Sequence, residues 1–139
     1  MRAFHEKKHD MELSCSLDYQ GVVQISMSGN LSSDYEDVFI DWARSVRAAM
    51  KEVKSKNPER VLCIIDLTGP IIDTDQKTFK LLIELIRHNK DYVTRTGVYG
   101  AAFVTRNLVD IALKATGRKN MKMFVTREEA ERWVFTGKK

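Results

Sequence analysis

The sequence predicts an α/β fold in which a mostly parallel central sheet follows an amino-terminal hairpin, in the order β-β-α-β-α-β-α-β-α. Five consecutive apolar residues at positions 61–65 are typical of a strand buried on both faces. Two stretches with alternating apolar residues precede this strand, and helical periodicity alternates with short apolar runs after it. Strands joined through helices require a parallel arrangement, so the chain is expected to form a small α/β sandwich.

The amino-terminal hairpin is predicted from two segments with a period of two residues. Apolar side chains alternate with polar ones in residues 11–19 and again in residues 23–27, which indicates two strands with one buried face. Gln20 and Gly21 supply the turn between them.

The first helix is predicted to begin at Ser33, where Glu36 completes a capping box, and to end before Pro58. Its apolar residues recur with the spacing of a buried helical stripe. They are Tyr35, Val38, Phe39, Trp42, Val46, Ala49, Met50 and Val53.

The second helix is predicted to follow the buried strand after a short loop and to run to residues 89–92. Gly69 and Pro70 interrupt the chain, and either Asp73 or Thr74 is the expected cap, since Asp73 and Gln76 have the capping-box spacing. This arrangement places polar side chains at the carboxyl end of a central strand, where open α/β sheets usually bind their ligands.

The carboxyl-terminal third is predicted to add two strands and two helices. A strand over residues 98–105 leads to a helix that Asn107 caps and that Gly117 terminates. A short strand over residues 121–125 then precedes a closing helix with Thr126 as its cap.

Length and composition indicate one domain over residues 11–139, preceded by a flexible, charged arm over residues 1–10. The chain has 139 residues, of which 43% are hydrophobic, and this is enough for a single core. No apolar run approaches the roughly 20 residues of a membrane span, and the first ten residues lack the apolar region of a signal peptide, so a cytoplasmic location is expected.

The net charge and the two cysteines argue against a nucleic-acid surface and against a disulfide bond. The net charge of +4 is spread along the chain without interleaved aromatic residues, so no nucleic-acid surface is predicted. Cys15 and Cys63 both fall in apolar segments and are expected to be buried free thiols.

The sequence offers little for catalysis, and no enzymatic activity, cofactor or metal is predicted. Only His5, His9 and His88 are available as bases, and no phosphate-binding loop or cluster of metal ligands follows any predicted strand. Asp66 ends a strand as the phosphate acceptor of a receiver domain does, but the acidic pair that would hold magnesium is missing.

Two separated motifs resemble the STAS domain family, which includes anti-sigma-factor antagonists and stressosome proteins. The first is Asp66-Leu67-Thr68-Gly69 followed, after a short apolar spacer, by Asp73-Thr74; the second is the closing run of residues 124–133, which is similar to the end of the SpoIIAA-like branch. The resemblance implies the STAS fold, a non-enzymatic signalling role, and Thr74 at the position of the serine or threonine that a partner kinase phosphorylates. It also implies that the partner is an anti-sigma factor, which is itself a kinase, or another STAS protein.

The resulting hypothesis is a regulatory module that binds a partner protein through residues 68–77, with Thr74 as the candidate phosphoacceptor. A phosphate there would lie between two carboxylates, which oppose it and which the nearby lysines offset only in part. The candidate partner-binding residues are Asp66, Thr68, Gly69, Asp73, Thr74, Asp75 and Lys77.

Two alternatives stay open at this stage. The chain could instead bind a small apolar ligand of the lipid type, for which a pocket of about 300 Å³ or more would be needed. Self-association into a homodimer through a sheet edge is also open, because an unpaired edge can accept another strand.

Overall fold

The computed structural model describes residues 3–138, with the exception of the side chains of Phe103 and Val104. The described residues form seven strands and four α-helices. The strands are β1 (Phe4–Lys8), β2 (Met11–Leu17), β3 (Val23–Leu31), β4 (Leu62–Asp66), β5 (Ile71–Thr74), β6 (Arg95–Tyr99) and β7 (Met121–Phe124). The helices are α1 (Glu36–Lys56), α2 (Gln76–Asn89), α3 (Phe103–Thr116) and α4 (Arg127–Thr136).

The strands form one sheet in the order β1-β2-β3-β4-β6-β7, and β5 pairs with the far end of β3. The pairs β1·β2 and β2·β3 are antiparallel, whereas β3·β4, β3·β5, β4·β6 and β6·β7 are parallel. The predicted fold class, a mostly parallel sheet after an amino-terminal hairpin, is therefore confirmed.

Strand β4 lies at the centre of the sheet and is buried on both faces, as its unbroken apolar sequence predicts. Leu62 and Ile64 point toward α4, while Cys63 and Ile65 point toward the other three helices. Each of these four side chains is at most 9% exposed. The carboxyl end of β4 is thus held in place by side chains that pack on both faces of the sheet.

Helix α1 supplies the largest part of the main core. Its buried residues follow the predicted stripe and are Phe39, Trp42, Val46, Ala49, Met50 and Val53. The Trp42 indole Nε1 donates a hydrogen bond of 2.9 Å to the Ser14 carbonyl oxygen, so its one polar atom is satisfied inside the core. Helix α4 covers the opposite face with Ala130, Trp133 and Val134.

The amino-terminal arm is a correction to the sequence prediction. Within residues 1–10, Met1 and Arg2 lie outside the described residues, but Phe4–Lys8 forms an edge strand paired with β2. Four of its five residues are exposed, and only Phe4 packs against the core. Because both faces of the strand are largely wet, it has no alternating pattern that sequence analysis could detect.

Three element starts also differ from the prediction. Ser32, rather than Ser33, caps a single 3₁₀ turn before α1, which begins at Glu36. The predicted strand over residues 98–105 is displaced, because β6 ends at Tyr99 and α3 begins at Phe103 instead of after Asn107. Gly100, with φ of 80°, lets the chain turn between β6 and α3. The residues beside it are small and apolar, so the apolar pattern continued past the end of β6 and predicted a longer strand.

Candidate functional site

Residues 66–77 connect the central strand β4 to α2 at the carboxyl edge of the sheet. The sequence predicts a loop here, but the structure contains the short strand β5 within it. Strand β5 pairs with the end of β3 after a register shift between Gly29 and Asn30. This pairing anchors the segment to the sheet, and a pairing that depends on a bulge in a distant strand leaves no periodic signal in the sequence.

The first part of the segment is fixed by hydrogen bonds from both sides. The Asp66 carboxylate accepts bonds from the Thr68 amide at 2.8 Å and the Thr68 hydroxyl at 2.6 Å. The Leu67 amide donates to the Tyr99 carbonyl oxygen at 3.0 Å, and the Gly29 amide donates to the Pro70 carbonyl oxygen at 2.8 Å. These bonds leave the loop little freedom.

The same hydrogen bonds decide the charge of Asp66. Partial burial acts to raise the pKa of its carboxyl, but hydrogen bonds from Thr68 and Tyr99, together with the Arg127 guanidinium, outweigh burial and hold the pKa below its ordinary value. Asp66 is therefore ionised at neutral pH and acts as the acceptor that organises Thr68.

Close backbone packing adds to this rigidity. A Cβ atom on Gly100 would lie 2.4 Å from the Thr68 Cγ2 atom, and a Cβ atom on Gly69 would lie 2.9 Å from the Ser28 Cβ atom. Both positions therefore require glycine for the loop to pack against its neighbours. Gly69, a predicted site residue, is a packing residue in this structure.

Asp75 caps α2, so the prediction that Asp73 or Thr74 does so is wrong. Its carboxylate accepts hydrogen bonds from the Thr78 amide at 2.8 Å and the Ser33 amide at 2.6 Å. Its own amide donates to the Leu31 carbonyl oxygen at 3.2 Å. Asp75 thus joins the start of α2 to the chain entering α1, in part through Ser33, which is 42 residues away in the sequence.

The two backbone amides also determine how Asp75 titrates. The hydrogen bond from the Ser33 amide, followed by that from the Thr78 amide, holds the pKa of the Asp75 carboxyl far below its usual range. The Asp75 carboxylate is consequently ionised at all but strongly acidic pH, and its negative charge faces the Ser33 and Thr78 amides.

Lys77 is held by the same junction. Its Nζ atom lies 2.8 Å from the Glu36 Oε2 atom, and this hydrogen bond raises the pKa of the lysine. The ion pair links the first turn of α2 to the first turn of α1. Lys77 is therefore paired with Glu36 in this structure, and Asp75, the residue after Thr74, adds a weaker electrostatic attraction to it.

Thr74, the candidate phosphoacceptor, is the last residue of β5 and immediately precedes the cap of α2. It is partly exposed, and its hydroxyl donates a long hydrogen bond of 3.3 Å to the Asp75 carbonyl oxygen. Asp73 is exposed beside it and accepts a bond from the Thr74 amide at 2.8 Å. The hydroxyl group is thus weakly engaged at a half-buried position, and Thr74 also lines a cavity in the main core.

Ile72 is an exposed residue of the candidate segment that the sequence analysis did not name. It is 65% exposed on β5, between the buried Ile71 and the exposed Asp73. An apolar side chain that a fixed strand holds in solvent is a ready anchor for a partner, because binding removes it from water without a loss of backbone freedom. The only sequence signal that could have identified it is the adjacency of Ile71 and Ile72, because neighbouring residues of a strand point to opposite faces of the sheet.

The predicted residues consequently fall into two groups. Asp66, Gly69, Asp75 and Lys77 fix the geometry of the segment, whereas Thr68, Asp73 and Thr74 contribute to its surface together with Ile72. The arrangement is a rigid, largely polar surface around one exposed aliphatic side chain.

The interior of the main core contains a cavity of about 60 Å³ between the sheet and α1, α2 and α3. Ligand pockets in proteins are usually at least about 300 Å³, so this cavity counts against a lipid-sized ligand. A larger groove of about 710 Å³ beside β7 is open, and its lining includes five charged side chains, which do not suit an apolar ligand.

Both cysteines are buried and free, as predicted. Burial raises the pKa of Cys15 to about 11 and that of Cys63 to about 12, so both thiols are protonated and unreactive at neutral pH. Within residues 3–138 no group of three or more potential ligands could hold a metal ion. None of the helices in the same part of the chain has the length and apolar character that a membrane span requires.

Two solved structures resemble this chain over nearly its whole length. An uncharacterized protein of the DUF3478 family with a SpoIIAA-like fold, from Shewanella loihica, aligns with a TM-score of 0.55 and 12% identity over 94% of this chain and 98% of its own. The anti-sigma factor antagonist SpoIIAA in its unphosphorylated form aligns with a TM-score of 0.53 and 15% identity over 89% of this chain and 98% of its own.

No family model matches the sequence. No curated protein is similar enough to count as a relative. At these identities the two structural likenesses establish the fold alone. The described chain therefore has the SpoIIAA-like fold, as the sequence motifs predicted.

Proposed function

We propose that this chain is a non-enzymatic regulatory module that binds a partner protein through residues 68–77 and the start of α2. The observation that carries the proposal is the exposure of Ile72 on a segment whose backbone is fixed by Asp66, Asp75 and the pairing of β5 with β3. A preformed surface binds without an ordering cost, and this favours recognition by docking.

The class of partner is supported by the fold. SpoIIAA is an anti-sigma factor antagonist, and its unphosphorylated form has this architecture. By this likeness the partner is an anti-sigma factor of the kinase type or another STAS protein, and Thr74 is the phosphoacceptor. The expected setting is the cytoplasm.

Thr74 is the most suitable hydroxyl group for such a switch among the threonines of this region. The Thr68 hydroxyl is committed to Asp66 at 2.6 Å, and Thr78 is only 1% exposed. A phosphate on Thr74 would add a charge of about −1.5 to −2 beside Ile72, and this would change the docking surface without refolding. The exposed Asp73 makes that surface still more negative, so modification is expected to weaken binding to a partner that contacts Ile72.

The substitution Ile72→Asp should reduce the affinity for the partner by about 30-fold, because a central apolar anchor typically contributes about 2 kcal/mol. The partner is first captured from native lysate with the wild-type protein, identified and purified, and affinities are then measured by calorimetry. The matched control is Tyr19→Asp, since Tyr19 is 96% exposed in the turn at the opposite edge of the sheet. Equal affinities of wild type and Ile72→Asp would refute this docking surface.

The switch is tested separately with two substitutions at Thr74. Thr74→Val keeps the shape of the side chain and should bind as the wild type does, whereas Thr74→Glu should bind about tenfold more weakly. Mass spectrometry of the native protein should find phosphate on Thr74 and not on Thr68 or Thr78. If Thr74→Glu binds like the wild type, the switch is wrong although the docking surface can still be correct.

A further inference from the structure

Strand β7 is the last strand of the sheet, and its outer edge is unpaired. Among residues 3–138, β6 is the only strand that pairs with it. The Thr96 amide donates to the Asn120 carbonyl oxygen at 2.8 Å, and in the parallel register this places the backbone N–H and C=O groups of Lys122 toward β6. The N–H and C=O groups of Met121 and Met123 therefore point to the open edge, where they are available to another strand.

This edge forms the floor of the open groove of about 710 Å³. Helix α3 forms one wall with Arg106, Asp110 and Leu113, and α4 forms the other with Glu129 and Arg132. The two helices lie on opposite faces of the sheet. An extended segment in the groove would therefore continue the sheet between them, with its side chains directed alternately toward α3 and toward α4.

The other edge strand of the sheet, β1, is built differently. Four of its five residues are exposed, and it ends in Lys7 and Lys8, which are typical of an edge that resists pairing. In β7, by contrast, all four residues are buried or half-buried, and Val125, which follows the strand, is 68% exposed and lines the groove. A strand added at β7 would thus gain apolar contacts as well as backbone hydrogen bonds.

The charges of the groove favour an acidic segment. Its lining includes three cations and two carboxylates, which are Arg106, Lys122, Arg132, Asp110 and Glu129. The Glu129 carboxylate already accepts a hydrogen bond of 3.0 Å from the hydroxyl group of the residue that caps α4. Within residues 3–138 none of the three cations forms an ion pair, although the Lys122 Nζ atom lies 5.2 Å from the centroid of the Trp133 ring. Carboxylates of an added strand would supply the missing counter-charge.

The same charges disfavour a second copy of this chain in the groove. Two β7 edges that paired with each other would bring the three cations of one groove against those of the other. The β1 edge is no better suited, because it carries Lys7 and Lys8 against one carboxylate, that of Glu6. Like charges on paired strands are destabilising, so the occupant is expected to be a different protein.

We infer that the open edge of β7 is a second docking surface, which binds an extended acidic segment of another protein as an additional strand of the sheet. The backbone groups of Met121 and Met123 hold this segment, and Arg106, Lys122 and Arg132 attract its carboxylates. None of the residues that line the groove belongs to residues 68–77, so this inference does not rest on the docking surface proposed above.

The probe is a seven-residue peptide of alternating glutamate and valine with blocked ends, titrated into the wild-type protein and followed by amide NMR. As an added strand it presents all of its glutamates to one helix and all of its valines to the other. The amide signals of Met121 and Met123 should shift saturably. Absence of these two shifts would overturn the proposal.

Two control peptides separate the contribution of charge from that of the backbone. The first has lysine in place of glutamate, and the second is the acidic peptide with a methyl group on every backbone nitrogen, which removes its N–H donors. Each should bind at least about tenfold more weakly than the acidic peptide. Equal affinity of the lysine peptide would overturn the acidic partner, and equal affinity of the methylated peptide would overturn strand addition.

Two protein variants of equal net charge assign the binding to the groove. The substitution Arg132→Glu should weaken binding of the acidic peptide about fivefold, whereas Arg44→Glu, at an arginine on α1 with a 75% exposed side chain, should leave it unchanged. A loss of the same size in both variants would show a response to net charge alone and would overturn the site. A dimer in analytical ultracentrifugation that the acidic peptide dissociates would assign the edge to a second copy and would also overturn the proposal.

Discussion

Substitution of Gly29 by alanine should leave little folded protein. Gly29 lies in β3 with φ of 86°, and a Cβ atom there would be 1.7 Å from the Asp10 carbonyl oxygen. This clash is with backbone, so no side-chain rotation relieves it, and it falls at the register shift that pairs β3 with β5. We expect the free energy of unfolding to fall by more than about 4 kcal/mol, measured by chemical denaturation followed by circular dichroism.

The matched control is Gly117→Ala. Gly117 also has a positive φ, of 65°, but a Cβ atom there would meet nothing within 4 Å. The substitution should cost only about 1 kcal/mol, from backbone conformation alone. If Gly29→Ala were as mild as Gly117→Ala, the close contact between β3 and the turn at Asp10 would be wrong.

The substitution Asp75→Ala should be the most damaging change of a side chain within residues 68–77. It removes two hydrogen bonds from a charged acceptor to the Ser33 and Thr78 amides, and it thereby uncaps α2 and releases the entry to α1. The expected loss is about 2–3 kcal/mol of unfolding free energy. The control Asp73→Ala removes an exposed carboxylate that accepts one bond, from the Thr74 amide, among residues 3–138, and it should cost less than about 1 kcal/mol.

The same interaction should appear in the pH dependence of stability. Because the folded pKa of Asp75 lies below its ordinary value near 3.8, its contribution is complete above that value and is lost as pH falls toward the folded pKa. The difference in stability between wild type and Asp75→Asn should therefore shrink between about pH 5 and pH 2. A difference that stayed constant over this range would show that the charge of Asp75 does not stabilise the fold.

Periodicity was sufficient to predict the elements that the core defines. The run at residues 61–65 is a central strand because both of its faces are apolar, and the stripe from Phe39 to Val53 is the buried face of α1. In both cases the local hydrophobic pattern agrees with the tertiary environment, and this agreement allows the element to be predicted from the sequence. The family resemblance added the fold, which the structural likenesses confirm.

Elements that depend on distant pairing could not be predicted in this way. Strand β1 has little apolar surface, and β5 exists because a bulge in β3 offers it a partner. Both are stabilised mainly by backbone hydrogen bonds, which any sequence can make. Their side chains therefore show almost no hydrophobic alternation from which a strand could be predicted.

The sequence could not show which residues of the candidate segment fix its geometry and which form its surface. Three acidic or hydroxyl residues, at positions 73–75, are all acceptable helix caps, and the sequence does not show that Asp75 also contacts Ser33. The exposure of Ile72 is likewise a property of the folded chain. Whether residues 68–77 bind a partner and whether Thr74 is modified remain predictions.

The most direct test of the docking surface is photo-crosslinking in cells that produce the protein natively. A photoreactive amino acid is placed at position 72 in one variant and at position 19 in another, both of which are exposed apolar positions at opposite edges of the sheet. We predict that a single discrete adduct forms from position 72 and none from position 19. An adduct that forms equally well from both positions, or only from position 19, would contradict a docking surface at residues 68–77.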